Sequence, residues 1–434
     1  MMESIWPETT ALPTFDSLKQ DLKTDVLIIG GGLAGILCAY MLDKAGVDYA
    51  LVEADRICNG VTRNTTAKIT SQHGLIFQKL IREFGVEKAR MYLEANEKAL
   101  KDYRQICRDI PCDLEEKDAY VYSVDRLDKL EKELAALEQI GHPAEFVRNL
   151  PLPFFVAGGI QFRNQAQFNP LKFVQGIVQK LNIYENTRAK AFDGKYVVTE
   201  RANITASKII VATHFPFINK HGSYFLKLYQ HRSYVLGLDQ GPMVDGMYID
   251  ENKHGLSFRN YQDLLLIGGG SHRTGKQGGN WTELEAFAQA HYPGARIKYR
   301  WATQDCMTLD GIPYIGQYSK STPDLYVATG FNKWGITSSM VAATLLCDLI
   351  QGRDNPYASV FSPSRTMLRP QLLYNGIEAA ANLLTISKRR CPHMGCALKW
   401  NPQERTWDCP CHGSRFTEQG KLLDNPATDD MTNH

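Results

Sequence analysis

A glycine-rich turn between two hydrophobic segments constrains the fold of this chain more than any other feature. Residues 25–29 (Asp-Val-Leu-Ile-Ile) have the composition of a buried strand, residues 36–44 follow a helical pattern, and residues 49–52 form a second apolar run. The turn before the helix carries three glycines in the G-x-G-x-x-G spacing: Gly30, Gly32 and Gly35. This order predicts a parallel βαβ unit whose first turn binds a dinucleotide.

Each glycine of the turn has its own physical task in such a unit. Gly30 permits the tight turn, Gly32 lets the backbone approach a pyrophosphate, and Gly35 lets helix and strand pack closely. The first turn of the helix offers free N–H groups to the phosphates. Glu53 follows directly after the second apolar run, where its carboxylate can accept hydrogen bonds from ribose hydroxyls. The structural alternative is a glycine-rich turn without a ligand.

A second glycine cluster does not repeat this pattern. Gly268, Gly269 and Gly270 follow a predicted strand at residues 264–267, but neither a periodic helix nor a later acidic residue accompanies them. We therefore predict that these glycines form a turn. A flavoenzyme that also uses a nicotinamide reductant usually needs two such fingerprints, so the single unit favours one bound dinucleotide.

Four further segments resemble the D-amino-acid/glycine oxidase (DAO) family of FAD-dependent oxidoreductases. Residues 54–74 are similar to its flavin-contacting stretch, and residues 209–214 to a strand that ends in an Ala-Thr turn. Residues 309–316 (Leu-Asp-Gly-Ile-Pro-Tyr-Ile-Gly) and residues 325–337 are similar to a turn and to a strand–loop–helix of the same family. The resemblance implies FAD as the cofactor.

The resemblance also implies site residues. In the DAO family the helix after residues 325–337 points its N-terminus at the flavin, where the helix dipole stabilises negative charge. The implied cofactor-binding residues are Gly30, Gly32, Gly35, Glu53, Arg56, Thr62, Thr66, Ala212, Thr213, Gly330, Gly335, Ile336 and Thr337. The candidates for catalysis in the flavin or substrate pocket are His73, Arg232, Lys333 and Trp334, each of which also has a purely structural explanation.

Cysteine and histidine are concentrated near the end of the chain. Two short loops each offer one Cys/His pair, Cys391 with His393 and Cys409 with His412. Two thiolates and two imidazoles are the ligands of a [2Fe–2S] centre that has cysteine on one iron and histidine on the other. Structural zinc is the alternative, although zinc fingers usually group cysteine with cysteine and histidine with histidine.

The string Cys-Pro-Cys-His-Gly-Ser at residues 409–414 closely resembles the Rieske family. The resemblance implies a Rieske [2Fe–2S] cluster and a disulfide between Cys396 and Cys411, although a reducing compartment would keep those thiols free. It also implies that Ser414 hydrogen-bonds the cluster. Phe416 stands where respiratory members carry a tyrosine whose hydroxyl bonds the cluster, which predicts a lower reduction potential.

These features predict the fold class α/β: a Rossmann-like FAD-binding domain with an α+β substrate domain, plus a small all-β Rieske-type cluster module at the C-terminus. A full Rieske domain has several strands before its first ligand loop, whereas a helical pattern stands here. A module so short has little core of its own, so we expect it to lean on the FAD-binding domain or a neighbouring subunit. The predicted ranges are 1–80, 150–220 and 305–370 (FAD-binding domain), 81–149 and 221–304 (substrate domain), 371–390 (helical linker) and 391–434 (cluster module).

Composition limits the partners. The formal net charge of +2 gives no electrostatic basis for binding nucleic acid. No apolar run is long enough to predict a membrane span. Residues 1–24 lack the basic start and apolar core of a signal peptide, so we expect a cytoplasmic protein, which can form homo-oligomers.

The two sites together predict an FAD-dependent oxidoreductase with a second, one-electron centre. By family resemblance, a small substrate such as an amine or amino acid gives a hydride to the flavin, and the cluster exchanges single electrons with an unidentified acceptor or donor. The alternative is an electron-transfer protein whose flavin only relays electrons between the cluster and a partner protein.

Overall fold

The structure is a computed structural model that describes residues 3–252 and 254–431. The outermost residues of the predicted FAD-binding domain and cluster module (1, 2 and 432–434) and residue 253 of the substrate domain lie outside the described residues. The described strands are β1 (Leu22–Ile29), β2 (Tyr49–Val52), β3 (Lys68–Ile69), β4 (Glu115–Ser123), β5 (Glu145–Val147), β6 (Gly158–Gln167), β7 (Ile183–Tyr184), β8 (Ala189–Asp193), β9 (Tyr196–Thr199), β10 (Asn203–Val211), β11 (Leu228–Asp239), β12 (Met247–Asp250), β13 (Ser257–Tyr261), β14 (Leu264–Arg273), β15 (Arg296–Thr308), β16 (Tyr314–Gln317), β17 (Leu325–Thr329), β18 (Lys399–Asn401), β19 (Thr406–Asp408), β20 (Arg415–Thr417) and β21 (Leu422–Asp424).

Helices connect and cover these strands. The described helices are α1 (Trp6–Thr9), α2 (Leu33–Lys44), α3 (Phe77–Phe84), α4 (Val86–Cys107), α5 (Leu127–Gln139), α6 (Pro170–Ile177), α7 (Tyr224–Lys227), α8 (Trp281–His291), α9 (Gly335–Ile350), α10 (Ala358–Phe361) and α11 (Pro370–Leu384), with a 3₁₀ turn at Val61–Asn64. Within the described part of the chain, no helix is both long enough and apolar enough to cross a bilayer.

The first sheet has the strand order β16-β17-β10-β1-β2-β7, in which β1 lies parallel between β10 and β2. The side chains of β1 alternate between two cores. Val26 and Ile28 pack in the core that contains α2 and α9, whereas Leu27 and Ile29 pack on the opposite face. A strand buried on both faces explains the continuous apolar run in the sequence. The predicted strand–turn–helix–strand unit is confirmed as β1, α2 and β2.

The second sheet has the order β15-β11-β14-β13-β12-β4-β6-β3 and faces the carboxyl ends of the first. The prediction of a turn at residues 268–270 is wrong, because these glycines continue β14. Close neighbours explain why glycine stands there. An added Cβ at Gly268 would lie 2.7 Å from Ser257 Oγ, and one at Gly269 would lie 2.7 Å from Leu256 Cδ2.

The two sheets interleave along the chain. Strand β6 belongs to the range 150–220 predicted for the FAD-binding domain, yet it pairs with β4 of the second sheet. Strand β3, from the range 1–80, pairs with β6 in the same sheet. The chain therefore crosses between the sheets within both ranges, which hydrophobic patterning alone could not reveal.

A third, small antiparallel sheet, β18-β19-β20-β21, forms the C-terminal module. Strands β19 and β20 stand on either side of the second ligand loop. The helical linker predicted at residues 371–390 contains a helix, α11, which begins at Pro370 and ends at Leu384. The fold is therefore a mixed α/β body with a small all-β module at its end.

Candidate active site and metal centre

A cavity of about 1660 Å³ opens between the first and second sheets. Ordinary ligand pockets hold roughly 300–1,000 Å³, so this cavity has room for a dinucleotide together with a small substrate. Predicted site residues on its wall are Gly30, Gly32, Glu53, Arg56, Thr62, Thr66, His73, Ala212, Thr213, Arg232, Gly330, Lys333, Trp334, Gly335 and Ile336.

The glycine turn forms one end of the cavity and fits a nucleotide. An added Cβ at Gly30 would lie 2.5 Å from the carbonyl oxygen of Ala212, and one at Gly35 would lie 1.9 Å from the carbonyl oxygen of Gly30. Protein contacts therefore demand glycine at both positions. At Gly32 an added Cβ would meet only Thr62 Oγ1 at 3.6 Å. The open space before Gly32 is cavity, which is where a pyrophosphate would lie.

The groups around this turn suit the rest of a nucleotide. The N-terminus of α2 opens on the cavity, where Thr62 Oγ1 accepts a hydrogen bond from the N–H of Leu33 at 3.0 Å. The Glu53 carboxylate accepts from the N–H groups of Gly31 (2.6 Å) and Asp55 (2.9 Å). Burial raises the pKa of Glu53, and these two hydrogen bonds act against that shift. Both carboxylate oxygens keep lone pairs for ribose hydroxyls.

Arg56 and Thr66 lie on the same wall with protein partners. The Arg56 guanidinium pairs with Glu185 at 2.8 Å and donates to the carbonyl of Pro13 at 3.0 Å. Thr66 receives a hydrogen bond from Lys68 at 3.3 Å. Contact of either residue with the cofactor stays a prediction.

The segment at residues 325–337, which resembles a strand–loop–helix of the DAO family, brings a helix to the cavity. Helix α9 begins at Gly335, and Gly335 and Ile336 line the wall beside Ala212. The loop before it turns sharply at Gly330, where φ is +71° and an added Cβ would lie 2.3 Å from Thr308 Cγ2. The positive end of the α9 dipole therefore faces the cavity, where it stabilises negative charge.

His73 is held by hydrogen bonds on both ring nitrogens. Its Nδ1 lies 2.6 Å from the Tyr92 hydroxyl, and its Nε2 lies 2.9 Å from the carbonyl of Thr70 and 3.0 Å from Thr337 Oγ1. The ring of Trp334 stacks on the imidazole at 4.7 Å. Burial lowers the pKa of His73 to about 3, so the imidazole is neutral. His73 and Trp334 therefore form a rigid part of the cavity wall. Thr337 does not line the cavity and supports His73 from behind.

Lys333 and Arg232 lie near an acidic residue that the sequence analysis missed. Lys333 donates to Ser233 Oγ at 3.3 Å and to Ser271 Oγ, and it faces the cavity while protein surrounds it. Asp305 lines the same wall. Burial lowers the pKa of Lys333, and the negative charge of Asp305 acts in the opposite direction. Burial raises the pKa of Asp305, and the charges of Lys333 and Arg232 oppose that rise.

A signal for Asp305 was present in the sequence. The polar pair Gln304-Asp305 interrupts the strand that leads into the Leu-Asp-Gly-Ile-Pro turn at residues 309–313. Polar residues within a central strand need partners in the fold or in a ligand. Here Gln304 contacts the cluster module and Asp305 faces the cavity.

The two ligand loops have the same backbone design. Loop one (residues 391–396) and loop two (residues 409–414) both close by two hydrogen bonds. In each, the N–H of the first residue donates to the carbonyl of the sixth, and the N–H of the fifth donates to the carbonyl of the first, at 2.8–2.9 Å. The fifth residue is Gly395 or Gly413, with φ of +76° and +86°. Each loop therefore presents its side chains from a fixed turn.

The four predicted ligands converge and fit an iron–sulfur centre. The thiols of Cys391 and Cys409 lie within hydrogen-bonding distance, and the rings of His393 and His412 have centroids 4.8 Å apart. Burial lowers the pKa of both imidazoles, so they are neutral, as metal binding requires. Both Nδ1 atoms are buried and have no hydrogen-bond partner among the described residues, which leaves them for iron.

Cys396 and Cys411 stand beside these ligands. Their sulfurs and that of Cys409 lie within 4.8 Å of one another. Both are free thiols in this structure, so the implied disulfide is not formed, although the loops bring its partners together. Ser414 lies within hydrogen-bonding distance of the Cys391 thiol, and its hydroxyl oxygen accepts from the N–H of Ala427 at 3.0 Å.

Loop two is bound to the second sheet by two glutamines. The amide of Gln230 donates to the carbonyls of His412 (2.8 Å) and Asn425 (3.0 Å). The amide of Gln304 donates to the carbonyl of Gly413 at 2.8 Å and to the Gln230 side chain at 2.7 Å. These buried contacts connect strands β11 and β15 directly with a ligand loop.

A buried arginine adds a third connection. Arg273, at the end of β14, donates to the carbonyls of Pro410 and Cys411 at 3.0 Å each. It also donates to Asn375 of α11 at 2.8 Å. This role could not be predicted from the sequence, since one arginine at the end of a strand looks like any surface cation.

Charged side chains complete the docking of the module. Both Arg232 and Arg415 pair with Glu404, which precedes β19, and all three side chains are almost fully buried. Burial alone would raise the pKa of Glu404, but the two guanidinium groups outweigh it and lower the pKa to about 2. Arg232 therefore binds the module while lining the cavity. The sequence predicts that the module leans on the FAD-binding domain or on a neighbouring subunit, whereas these contacts join it to strands β11, β14 and β15 at residues within the range 221–304 predicted for the substrate domain.

The two histidine ligands face residues of the range 150–220 predicted for the FAD-binding domain. The Phe215 ring lies edge-on to His393 and His412 at 6.3 and 6.0 Å between centroids, and Phe225 lies 6.5 Å from His412. The Nε2 of His393 lies 3.0 Å from Asn219 Oδ1. This edge of the module therefore lies against its own chain.

Comparisons with known proteins agree with both sites. The model of the FAD dependent oxidoreductase family matches residues 25–349, and that of the Rieske [2Fe-2S] domain matches residues 370–434, which include α11. The chain is 36% identical to YhfW of Bacillus subtilis (strain 168), described as a Rieske 2Fe-2S iron-sulfur protein, over 98% of this chain and 96% of the relative.

Two further comparisons cover the larger part of the chain. Gamma-glutamylputrescine oxidoreductase of Escherichia coli (strain K12) is 23% identical over 78% of this chain and 86% of the relative. The structure of glycine oxidase from Geobacillus kaustophilus superposes with a TM-score of 0.67 at 18% identity, covering 80% of this chain and all of that one. The chain therefore belongs to the DAO family of FAD-dependent oxidoreductases and carries a C-terminal Rieske [2Fe-2S] domain.

Proposed function

We propose that this protein oxidises a small amine or amino acid at its FAD and passes the electrons singly through its own Rieske cluster. The names of two similar proteins support the substrate class, since gamma-glutamylputrescine and glycine both carry an amine. When bound, FAD supplies a hydride acceptor that also exchanges single electrons. The protein has to bind the substrate, orient it and keep water out.

The charged wall of the cavity suits such a substrate. Asp305 offers a carboxylate to an ammonium group, and Lys333 offers an ammonium to a carboxylate. An amino acid carries both charges. Because its pKa is lowered to about 3, His73 is a weak base that stays neutral near neutral pH, so its task is to hold the Trp334 ring in place. We assign substrate binding to Asp305 and Lys333, and positioning to His73 and Trp334.

One observation carries the proposal of electron transfer within the chain. The cluster module supplies part of the wall of the same cavity, through Glu404, Arg415 and Asn425. The Asn425 amide donates to the carbonyls of Thr213 and Phe215, the first of which is a predicted cofactor-binding residue. The module that carries the cluster therefore borders the cavity in which FAD would lie, which favours transfer between the two centres over transfer to a separate protein.

Anaerobic mixing tests the proposal. The purified protein is mixed with a panel of amines and amino acids while flavin absorbance and the EPR signal of the reduced cluster are followed. A substrate should bleach the flavin and then produce the cluster signal. Asp305→Asn and Lys333→Met should raise KM for that substrate at least tenfold, about 1.4 kcal/mol of lost binding.

Ser319→Ala, on a surface loop outside the cavity wall, serves as the matched control and should leave KM unchanged. Bleaching without a cluster signal would refute transfer to the cluster but not oxidation. If no compound bleached the flavin while dithionite reduced both centres, the relay alternative would replace the proposal.

A further inference from the structure

Helix α11 has its polar side facing the protein. Asn375, Glu378 and Asn382 are its buried residues, and their spacing of three and four places them on one face. A helix on the surface of a globular protein normally buries its apolar stripe and exposes its polar one. In α11 this order is reversed.

Hydrogen bonds and one ion pair hold the inward face. Asn375 accepts from Arg273 at 2.8 Å, and Glu378 pairs with Lys276 at 2.6 Å. The Asn382 amide donates to the Glu378 carboxylate at 2.7 Å. The attachment of α11 to the protein therefore depends on polar contacts, and its apolar side chains remain available.

The outward face is an exposed apolar stripe. Positions 373, 377, 380 and 384 follow the spacing of one helical face and carry Leu, Ile, Ala and Leu. Leu373, Ile377 and Leu384 are 70%, 60% and 83% exposed, and the flanking Leu368 and Ile386 are 84% and 99% exposed. So many large apolar side chains together mark a surface that another phase or molecule covers.

The charges around the stripe have one sign. Lys388, Arg389 and Arg390 begin two positions after Ile386, and all three are exposed. Residues 366–390 contain a single acidic residue, Glu378, which faces inward and pairs with Lys276. A partner for this surface therefore needs an apolar layer with negative charge beside it.

We propose that α11 docks on an anionic membrane surface. Its apolar stripe would lie in the boundary between headgroups and acyl chains, with the three cations at the lipid phosphates. Tyr374, half exposed at the side of the stripe, suits the headgroup level. A second copy of the chain would bury the stripe but would bring its own cations to a surface without a free carboxylate.

Vesicle flotation of the full-length holoprotein tests this. The protein should float with vesicles of equal parts phosphatidylglycerol and phosphatidylcholine, and at least about tenfold less with pure phosphatidylcholine. High salt should weaken the binding, an arm that needs no variant. The triple substitution Leu373→Gln, Ile377→Gln and Leu384→Gln should reduce the bound fraction more than about tenfold.

Phe155→Gln is the matched control, since Phe155 is 79% exposed but lies far from α11 in sequence and outside its stripe. It should leave binding unchanged, and flavin and cluster absorbance should confirm that every variant is folded. Failure to float, binding that the triple substitution leaves intact, or a dimer in analytical ultracentrifugation that the triple substitution dissociates would each overturn the proposal.

Discussion

The two ligand loops share one backbone turn but have different surroundings. Loop two receives hydrogen bonds on four successive carbonyls, residues 410–413, from Arg273, Gln230 and Gln304 of the second sheet. Loop one is held by the residue that precedes it, since Arg390 donates to the carbonyl of Gly395 at 2.7 Å. Loop one contacts the predicted FAD-binding domain through a side chain, that of His393, which lies beside Asn219.

This difference shows that presenting the ligands and fixing the position of the cluster are separate tasks, although the two turns are the same. The turn presents ligands, and both loops do this in the same way. The host strands fix loop two in space, so loop two should set the position of the cluster. Substitutions in loop two should therefore disturb both the cluster and its docking, whereas matched ones in loop one should disturb the cluster alone.

Loss of a ligand should have the largest effect. Cys409→Ser and Cys391→Ser should each abolish the cluster, because the iron that both cysteines ligate keeps only one protein ligand. Iron analysis and the EPR signal measure this, while bound FAD should remain at the level of the unaltered protein. Cys347→Ala, a buried cysteine of α9 outside the module, is the control and should keep its iron. Retention of a Rieske EPR signal in Cys409→Ser would contradict the ligand assignment.

Replacing the two arginines that hold the loops should give the next largest difference in stability. Arg273→Gln removes hydrogen bonds to Pro410, Cys411 and Asn375 at a buried site and should cost about 3 kcal/mol. Arg390→Gln removes bonds at an exposed site and should cost less than about 1 kcal/mol. The midpoint of urea-induced cluster bleaching measures both. Equal costs would show that the host does not fix loop two.

The glycines of the two turns provide a finer comparison. Both have positive φ, so alanine at either should cost about 1 kcal/mol in backbone strain. An added Cβ at Gly395 meets no atom of the described chain within 4 Å, whereas one at Gly413 would lie 2.6 Å from Gln230 Cβ. Gly413→Ala should therefore cost roughly 1–3 kcal/mol more than Gly395→Ala in the same bleaching assay. A difference near zero would mean that Gln230 moves aside freely.

The sequence predicted what depends on local patterns and missed what depends on distant contacts. The βαβ unit and the four ligands follow from spacing, since turn geometry and metal coordination each require particular residues at fixed intervals. Arg273 and Asp305 gained their roles from residues about 140 and 30 positions away, respectively, across strands whose order the sequence does not state. Gly268–Gly270 misled because glycine serves close packing as readily as turns.

A hydroxyl added beside loop two should have the smallest effect. Phe416 is fully buried and packs with the cysteines of both loops. Phe416→Tyr would place an O–H donor near the cluster, which stabilises the more negative reduced state. One hydrogen bond of about 1 kcal/mol corresponds to a rise of roughly 40–50 mV in a one-electron midpoint potential. Phe225→Tyr, beside His412 and not in the cysteine cluster, should shift the midpoint far less. A redox titration in which Phe416→Tyr left the midpoint unchanged or lowered it would show that the hydroxyl does not reach the cluster.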